Sequence, residues 1–434
     1  MTGPGPSIRS DRPGAARSLV PSHIRRLVLI FCLALAARAG WGMYRLLGTG
    51  SPATLEFPDE TQYWQMAESL RAGDGLRDEL GFQATRMPLF PLLLSLFVGS
   101  PRGIGWFLCG QWVIGAIGAA LAMAMATRLF DARVGLWAGV MVALDPFLVF
   151  FSTLVLTETF FITALLGLGW LSAGCLRDRA ASTRRWVGLG VTAALCVYLR
   201  ESSLGLVLLL LGLIALHLRC DRRALGGALL AGSLVVLSLV PWGVRNGLLL
   251  GDWCWLTTRA GISLYDGVRP NATGESDLGT IKQMPAVVGL SEVEWNRYFL
   301  RQSIQAIKAE PSRIAKLAAV KLGRMWNPVP NVETYRSRGV RAVSALWTLP
   351  TFALALAGAV GLVIGTFRFG RAMAVFLLLP AVYLSVVHSL FIGSVRYRLG
   401  AVPFLEILAA LALVTLTDRV IRPRPGREQS GAVA

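Results

Sequence analysis

Apolar residues fall in long blocks separated by short polar connectors over nearly the whole chain. A helix needs about 20 consecutive, mostly apolar residues to cross the hydrocarbon of a bilayer. Ten blocks meet or approach that length: 27–46, 104–129, 133–152, 157–176, 186–200, 203–218, 224–243, 342–366, 372–392 and 399–418. The run PLFPLLLSLFVG at 88–99 is too short to cross and carries Pro88 and Pro91, so it predicts a re-entrant or interfacial helix. The expected fold is an all-α polytopic membrane protein, with one membrane domain over 25–420 and tails at 1–24 and 421–434. The first tail is rich in Gly, Pro and Arg and reads as a disordered basic segment. A cleaved signal peptide fits less well, because the apolar run behind Arg25-Arg26 continues to nearly the length of a span.

Basic residues orient these blocks. Arg25 and Arg26, Arg128 and Arg133, the cluster from Arg177 to Arg185, Arg219 to Arg223, Arg368 and Arg371, and the tail from Arg419 to Arg427 all fall on one side of the predicted bundle. The positive-inside rule makes that side cytoplasmic. Both termini are then cytoplasmic in a cell (inner) membrane, and the two long loops, 47–103 and 244–341, face outward. In the second loop, KAEPSRIAKLAAVKLGRMWNPVP places Ile314, Leu317, Ala318, Leu322, Met325 and Trp326 at spacings of three to four, with Lys316, Lys321 and Arg324 between them. That is an amphipathic helix, lying either on the membrane surface or against the loop's own structure, and ended by Pro328 and Pro330.

Composition agrees with the pattern. The chain has 434 residues, of which 54% are hydrophobic and 16% charged, with a mean hydropathy of +0.57. A soluble domain carries nearer a quarter charged residues. The net charge of +18 is accounted for by inner-face arginines and one polar loop, so nucleic acid is not an expected partner. Membrane lipids are. The six cysteines form no CxxC pair and the three histidines are scattered, so neither a disulfide framework nor a histidine metal site is visible.

Candidate chemistry comes from ionisable residues inside or beside apolar spans, where each is costly. Arg38, Asp145, Glu158, Arg200, Glu201, His388 and Glu406 all fall in the outer half of a predicted span or at its outer end. Arg396 and Arg398 lie on the outward turn before the last span. This one-sided distribution predicts a polar cavity in the outer leaflet, beneath the first loop and its adjacent carboxylates Asp59 and Glu60. A transporter would more often place such groups near the midplane. Arginine forks in such a cavity hold phosphate, although Arg200 could instead pair with Glu201 and all three arginines could reach for headgroups. A carboxylate beside the reacting centre takes a proton from a hydroxyl nucleophile. Asp145-Pro146 also reads as a helix-ending turn, and Glu158 as a favourable first-turn residue of its helix.

Six segments in order resemble one family. FPDETQYWQMAESLRAGDG resembles a first-loop acidic motif followed by a tyrosine and a short helix, and ATRMPLFPLLLSL the Arg-x-Pro segment behind it. LTETFF, GVTAALCVYLRESSLGLVLL, PWGVRNGLLLGDW and SVRYRLGAVPFLEILAALAL are similar to the later acidic, arginine-broken, Pro-Trp-x-x-Arg-Asn and Arg-Tyr-Arg positions. The family is the GT-C glycosyltransferases of the dolichyl-phosphate-mannose protein mannosyltransferase and aminoarabinose transferase type. The resemblance implies a GT-C-like bundle whose two outward loops carry interfacial helices. It also implies transfer of one sugar, with inversion, from a polyprenyl-phosphate carrier to a lipid, glycan or protein acceptor outside the cell. Asp59 matches the catalytic acidic position, and Glu60 and Glu158 are implied as supporting carboxylates. Arg86, Arg200, Arg245, Arg396 and Arg398 are implied as phosphate ligands, with Arg38, Tyr63 and Asn246 as further substrate contacts. A divalent cation, Mg or Mn, bridging Asp59 or Glu158 to the phosphate is compatible with the resemblance but not required by it. The outer loop of roughly 100 residues shows no appended soluble domain, which weakens the case for a protein acceptor. A lipid-linked glycan flippase and a non-enzymatic membrane subunit are the rival classes.

Overall fold

The computed structural model describes residues 22–48, 55–177, 182–219, 221–365 and 370–421. The two expected tails lie outside them, apart from the first few residues of the opening span and Ile421. In chain order the helices are α1 (Ser22–Gly48), α2 (Pro58–Ala72), α3 (Leu89–Ser95), α4 (Gly103–Leu129), α5 (Ala132–Leu144), α6 (Pro146–Phe151), α7 (Glu158–Arg177), α8 (Thr183–Leu199) and α9 (Leu204–His217). They continue with α10 (Arg222–Leu250), α11 (Ala260–Val268), α12 (Leu278–Lys282), α13 (Glu292–Ala309), α14 (Pro311–Met325), α15 (Arg338–Ile364), α16 (Gly370–Leu390), α17 (Val395–Arg398) and α18 (Val402–Ile421). Among the described residues there is no strand. The protein is an all-α polytopic membrane protein, as the apolar blocks predict.

Six helices, α1, α4, α7, α10, α15 and α16, are long and apolar enough to cross a membrane by length and composition, and Ala132–Leu144 and Glu201–His217 are shorter apolar helices. One expectation needs correcting. The block 133–152 is not a single span, because the helix stops at Asp145 and restarts as α6. Pro146 has no N–H to continue α5, and the Asp145 carboxylate accepts from Leu148 N at 2.8 Å, capping α6. The helix-ending reading of Asp145-Pro146 therefore holds.

Behind α6 the chain runs without helix from Ser152 to Thr157, fully buried among membrane helices. Such backbone survives away from water only if its polar groups are paired within the protein. Gln111 of α4 donates through Nε2 to Ser152 O at 2.9 Å and to Leu154 O at 2.7 Å. Glu60 accepts from Val155 N at 2.7 Å.

The 88–99 run forms the seven-residue α3, too short to span, which buries Phe90, Pro91 and Leu94 and packs on α2. α14 packs against protein, but on α16 more than on the rest of its own loop. Its Ile314, Leu317, Lys321 and Met325 are buried and it lies against α16.

Candidate functional site

α2 starts the site. Pro58 occupies its first turn, and Glu60 closes a capping box by accepting from the backbone of Phe57 and Glu56, each at 2.9 Å. With Val155 also bound, Glu60 accepts from three backbone N–H groups. Burial pushes the Glu60 carboxyl up, only partly offset by these three donors. Glu60 therefore ties the first loop to the irregular 152–157 segment and does not line the cavity.

Asp59, one residue earlier, points the other way, into a cavity of about 2270 Å³. Arg86 binds its Oδ1, Arg396 Nη1 lies 2.5 Å from Oδ2, and Arg259 Nη2 lies 3.7 Å from Oδ1. Burial raises the Asp59 carboxyl, but these three guanidiniums outweigh it and hold it well below the usual carboxylate range. Gln62 and Tyr63 share the Asp59 face of α2, three and four residues on. The Gln62 carbonyl oxygen accepts from Arg86 at 2.8 Å and from Arg259 at 3.1 Å. Its amide nitrogen donates to Asp78 at 3.2 Å. Tyr63 lies under the Arg86 guanidinium, 4.8 Å from ring centroid to Cζ.

Arg396 carries the network to α7, since its Nε binds Glu158 Oε1. Arg200 Nη2 reaches the same oxygen at 2.5 Å and lies over Phe161. Glu158 has 1% side-chain exposure against 24% for Asp59. Asp59 is therefore open to the cavity, while Glu158 holds Arg200 and Arg396 in place. Four guanidiniums against the carboxylates of Asp59, Glu158 and the neighbouring Glu201 leave a net positive charge at this end of the cavity.

A divalent ion fits this donor set poorly. The coordinating faces of Asp59 and Glu158 already carry guanidiniums, and among the described residues no group of three His, Cys, Asp or Glu side chains could hold a metal ion.

Several expected ligands face elsewhere. Arg398, two residues from Arg396, is 1% exposed. It donates to the carbonyls of Met325 and Asn327 and lies between Phe147 and Phe352. Arg38 donates to Ala34, Val142 and Ala143 carbonyls at 3.1–3.3 Å, tying α1 to the end of α5. Arg245 donates to Gln83 O at 2.8 Å and stacks on Trp242, while Asn246 donates to Cys254 O at 2.9 Å. These four hold helix breaks and loop ends together, because buried carbonyls there have no helical partner. The ionisable residues thus separate into a cavity group and a buried group, Arg38, Asp145, Arg398 and Glu406, at the α5–α6 break. Arg200 pairs with Glu158 and not with Glu201.

Arg259 was missed by sequence reasoning, and its local sequence, LTTRAG, gives no signal. Glu292 aligns it from a distance by accepting from Gln83 N at 2.7 Å and Ala84 N at 2.8 Å, and from the Thr258 hydroxyl. Gln62 was missed as well, although its place one helical turn beyond Asp59 was a signal that could have found it.

The other wall of the cavity is apolar. Trp41 of α1, Phe147, Phe150 and Phe151 of α6, and Val340 and Val343 of α15 line it, and α1 and α15 each pack on α6. Tyr335 crosses above, its ring against Phe57 and Phe150 and its hydroxyl donating to Glu56.

Comparison with known proteins agrees with the sequence resemblance. Residues 88–244 match the family model described as dolichyl-phosphate-mannose-protein mannosyltransferase. The archaeal oligosaccharyltransferase AglB of Archaeoglobus fulgidus, solved with an inhibitory peptide and a dolichol-phosphate, superposes with a TM-score of 0.57 at 14% identity, over 93% of this chain and 52% of AglB. ArnT of Cupriavidus metallidurans, solved with undecaprenyl phosphate, superposes with a TM-score of 0.50 at 14% identity, over 92% of this chain and 60% of ArnT. The chain therefore spans about half the length of AglB. No curated protein sequence matches it.

Proposed function

We propose that this chain, which has the GT-C membrane fold, is a glycosyltransferase that moves one sugar from a polyprenyl-phosphate carrier to an acceptor hydroxyl on the extracytoplasmic face. The observation that carries the reading is the position of Arg396. It joins Asp59, on the first outer loop, to Glu158, at the head of a membrane helix, within a cluster of four arginines. That cluster suits a phosphate anion, which planar guanidiniums bind with two parallel hydrogen bonds. The apolar wall between α1, α6 and α15 suits the prenyl chain of the same molecule, and the volume leaves room for an acceptor beside it. Dolichol-phosphate in AglB and undecaprenyl phosphate in ArnT are carriers of this chemical type.

In this mechanism the carrier phosphate lies among Arg86, Arg200, Arg259 and Arg396. The bond from sugar C1 to the phosphate oxygen breaks with its electron pair passing to the phosphate, whose charge rises from one to two. The arginines stabilise that added charge where it develops. The acceptor oxygen bonds to C1 from the opposite face, inverting the centre, and its proton passes to Asp59. A carboxylate held this low is a weak base. It suffices, because glycosyl transfer has an oxocarbenium-like transition state and the nucleophile sheds its proton late. The acceptor is a lipid, glycan or protein hydroxyl, and both termini are cytoplasmic.

The test is purified protein in lipid with labelled carrier-linked sugars and total envelope lipids and glycans as acceptor. Asp59→Asn lowers transfer by about 10²–10⁴-fold at unchanged folding. Undiminished transfer would remove Asp59 from the chemistry. Carrier lipid translocated across vesicles without sugar transfer would replace the enzyme with a flippase.

A further inference from the structure

Glu201 and His388, both hydrogen-bond acceptors, line the cavity and have no part in the mechanism above. Both stand beside Arg200. α8 ends there, with Arg200 in extended backbone (φ −151°, ψ 110°), and a single 3-10 turn at Glu201–Ser203 follows. Successive residues of an unbroken helix project about 100° apart, whereas this break sends Arg200 and Glu201 into one cavity. Their partners differ. Arg200 takes Glu158, and Glu201 accepts, among the described residues, from the Thr257 hydroxyl at 3.4 Å from Oε1. Among the described residues no Lys or Arg pairs with Glu201, although Arg86 is near enough to feel its charge.

His388 sits in the last turn of α16, its ring stacked on Tyr397 with centroids 3.9 Å apart and planes 15° from parallel. Nδ1 is 3.2 Å from Ile392 O. A carbonyl only accepts, so in the neutral ring Nδ1 carries the hydrogen and Nε2 keeps its lone pair. The stack and the Nδ1 bond fix the ring plane, which makes Nε2 a positioned acceptor.

A phosphate diester carries no donor, so neither Glu201 nor His388 can bind it. Sugar hydroxyls are donors. We propose that Glu201 and His388 form the sugar subsite beside the arginine-held phosphate, and that they select a polyhydroxylated sugar without a carboxylate. A uronic acid would bring its own carboxylate against Glu201, a like-charge contact in a partly desolvated wall. The inference rests on the proposed transferase and names the sugar class its donor carries.

Binding to the full chain in lipid nanodiscs tests it with three probes: undecaprenyl methyl phosphate as the bare carrier (a diester of the same charge as the sugar-bearing one), the carrier bearing each of a set of neutral hexoses, and the carrier bearing glucuronic acid. The expected result is that at least one neutral hexose tightens binding over the bare carrier, and that glucuronic acid does not. Glu201→Gln and His388→Phe, the second chosen to keep the stack on Tyr397, each cut the gain from the sugar about 3- to 10-fold. Both leave the bare carrier within about twofold of the unsubstituted protein. Glu201→Gln also lets the glucuronosyl carrier bind more tightly. The inference is overturned if no neutral hexose improves on the bare carrier, if both substitutions weaken bare and sugar-bearing carriers alike, or if glucuronic acid is preferred from the start. Failure to bind even the bare carrier overturns the phosphate site and this inference with it. Bare-carrier binding without any dependence on the sugar overturns this inference alone.

Discussion

Arg396 Nη1 lies 2.5 Å from Asp59 Oδ2 across a sequence separation of 337 residues. The contact closes the first loop onto the turn before α18, and the same guanidinium continues to Glu158. One side chain therefore sets the relative position of three parts of the chain and supplies charge where the carrier phosphate is proposed to sit.

Arg396→Lys is expected to behave almost like Arg396→Ala. A lysine ammonium is a single point charge and does not bridge two carboxylates with separate nitrogens. Both substitutions lower kcat/KM for sugar transfer by about 10²-fold or more, measured with saturating acceptor. Near-normal turnover by the lysine protein would show that the fork geometry is unimportant.

Arg398 and Glu60 predict the opposite outcome. Removing Arg398 as Arg398→Leu strips the donors from the Met325 and Asn327 carbonyls and costs about 2–4 kcal/mol of stability. Glu60→Gln loses an acceptor for backbone N–H groups and costs about 1–3 kcal/mol. Thermal unfolding reads both losses, and turnover per folded molecule stays within a few-fold of the parent. A specific loss of turnover with intact stability would return either residue to the reacting centre.

The pH profile follows from the direction of the Asp59 shift. A carboxyl held below its unfolded value of 3.8 stays ionised down through that pH. Its contribution to stability is present above 3.8 and is lost only as pH falls through the lower folded value. Transfer is therefore expected to show no acid limb from Asp59 between pH 5 and 7, and Asp59→Asn should lower the plateau without moving its edges.

Lys321 gives a stability prediction with the other sign. Burial depresses its ammonium from 10.5 to about 8, and it donates to Leu390 O. Between about pH 8 and 10.5 the unfolded chain binds more protons than the folded one, so stability rises with pH in that window. A gain of about 1 kcal/mol, allowing for screening by solvent, should appear in unfolding measurements and vanish in Lys321→Met. A fall over the same window would contradict the burial argument.

Chelation is the last check. With guanidiniums already on Asp59 and Glu158, transfer should stay within about twofold after removal of divalent cations by a chelator and dialysis, a change too small for loss of a metal that carries transition-state charge. Collapse of activity restored by Mg or Mn would mean that the arginines move aside for a metal.

Hydropathy is a property each residue has with its own surroundings. The sequence alone therefore determined where most of the helices lie and which connectors are long, and it offered Asp59, Arg86, Arg200 and Arg396, among a longer set, as candidates for an anion site. Even the stop at Asp145-Pro146 was legible, because proline acts locally. The direction of a side chain beyond such a break was not. Arg396 and Arg398 are two residues apart in one short motif, yet only the first faces the cavity. Asp59 and Glu60 are adjacent, yet one meets three arginines and the other three backbone N–H groups. Arg259 joins the cluster from a loop with no local mark, placed by Glu292. These outcomes depend on how helices far apart in sequence pack and on which buried carbonyls and amides need partners once they do. That balance exists only in the folded protein.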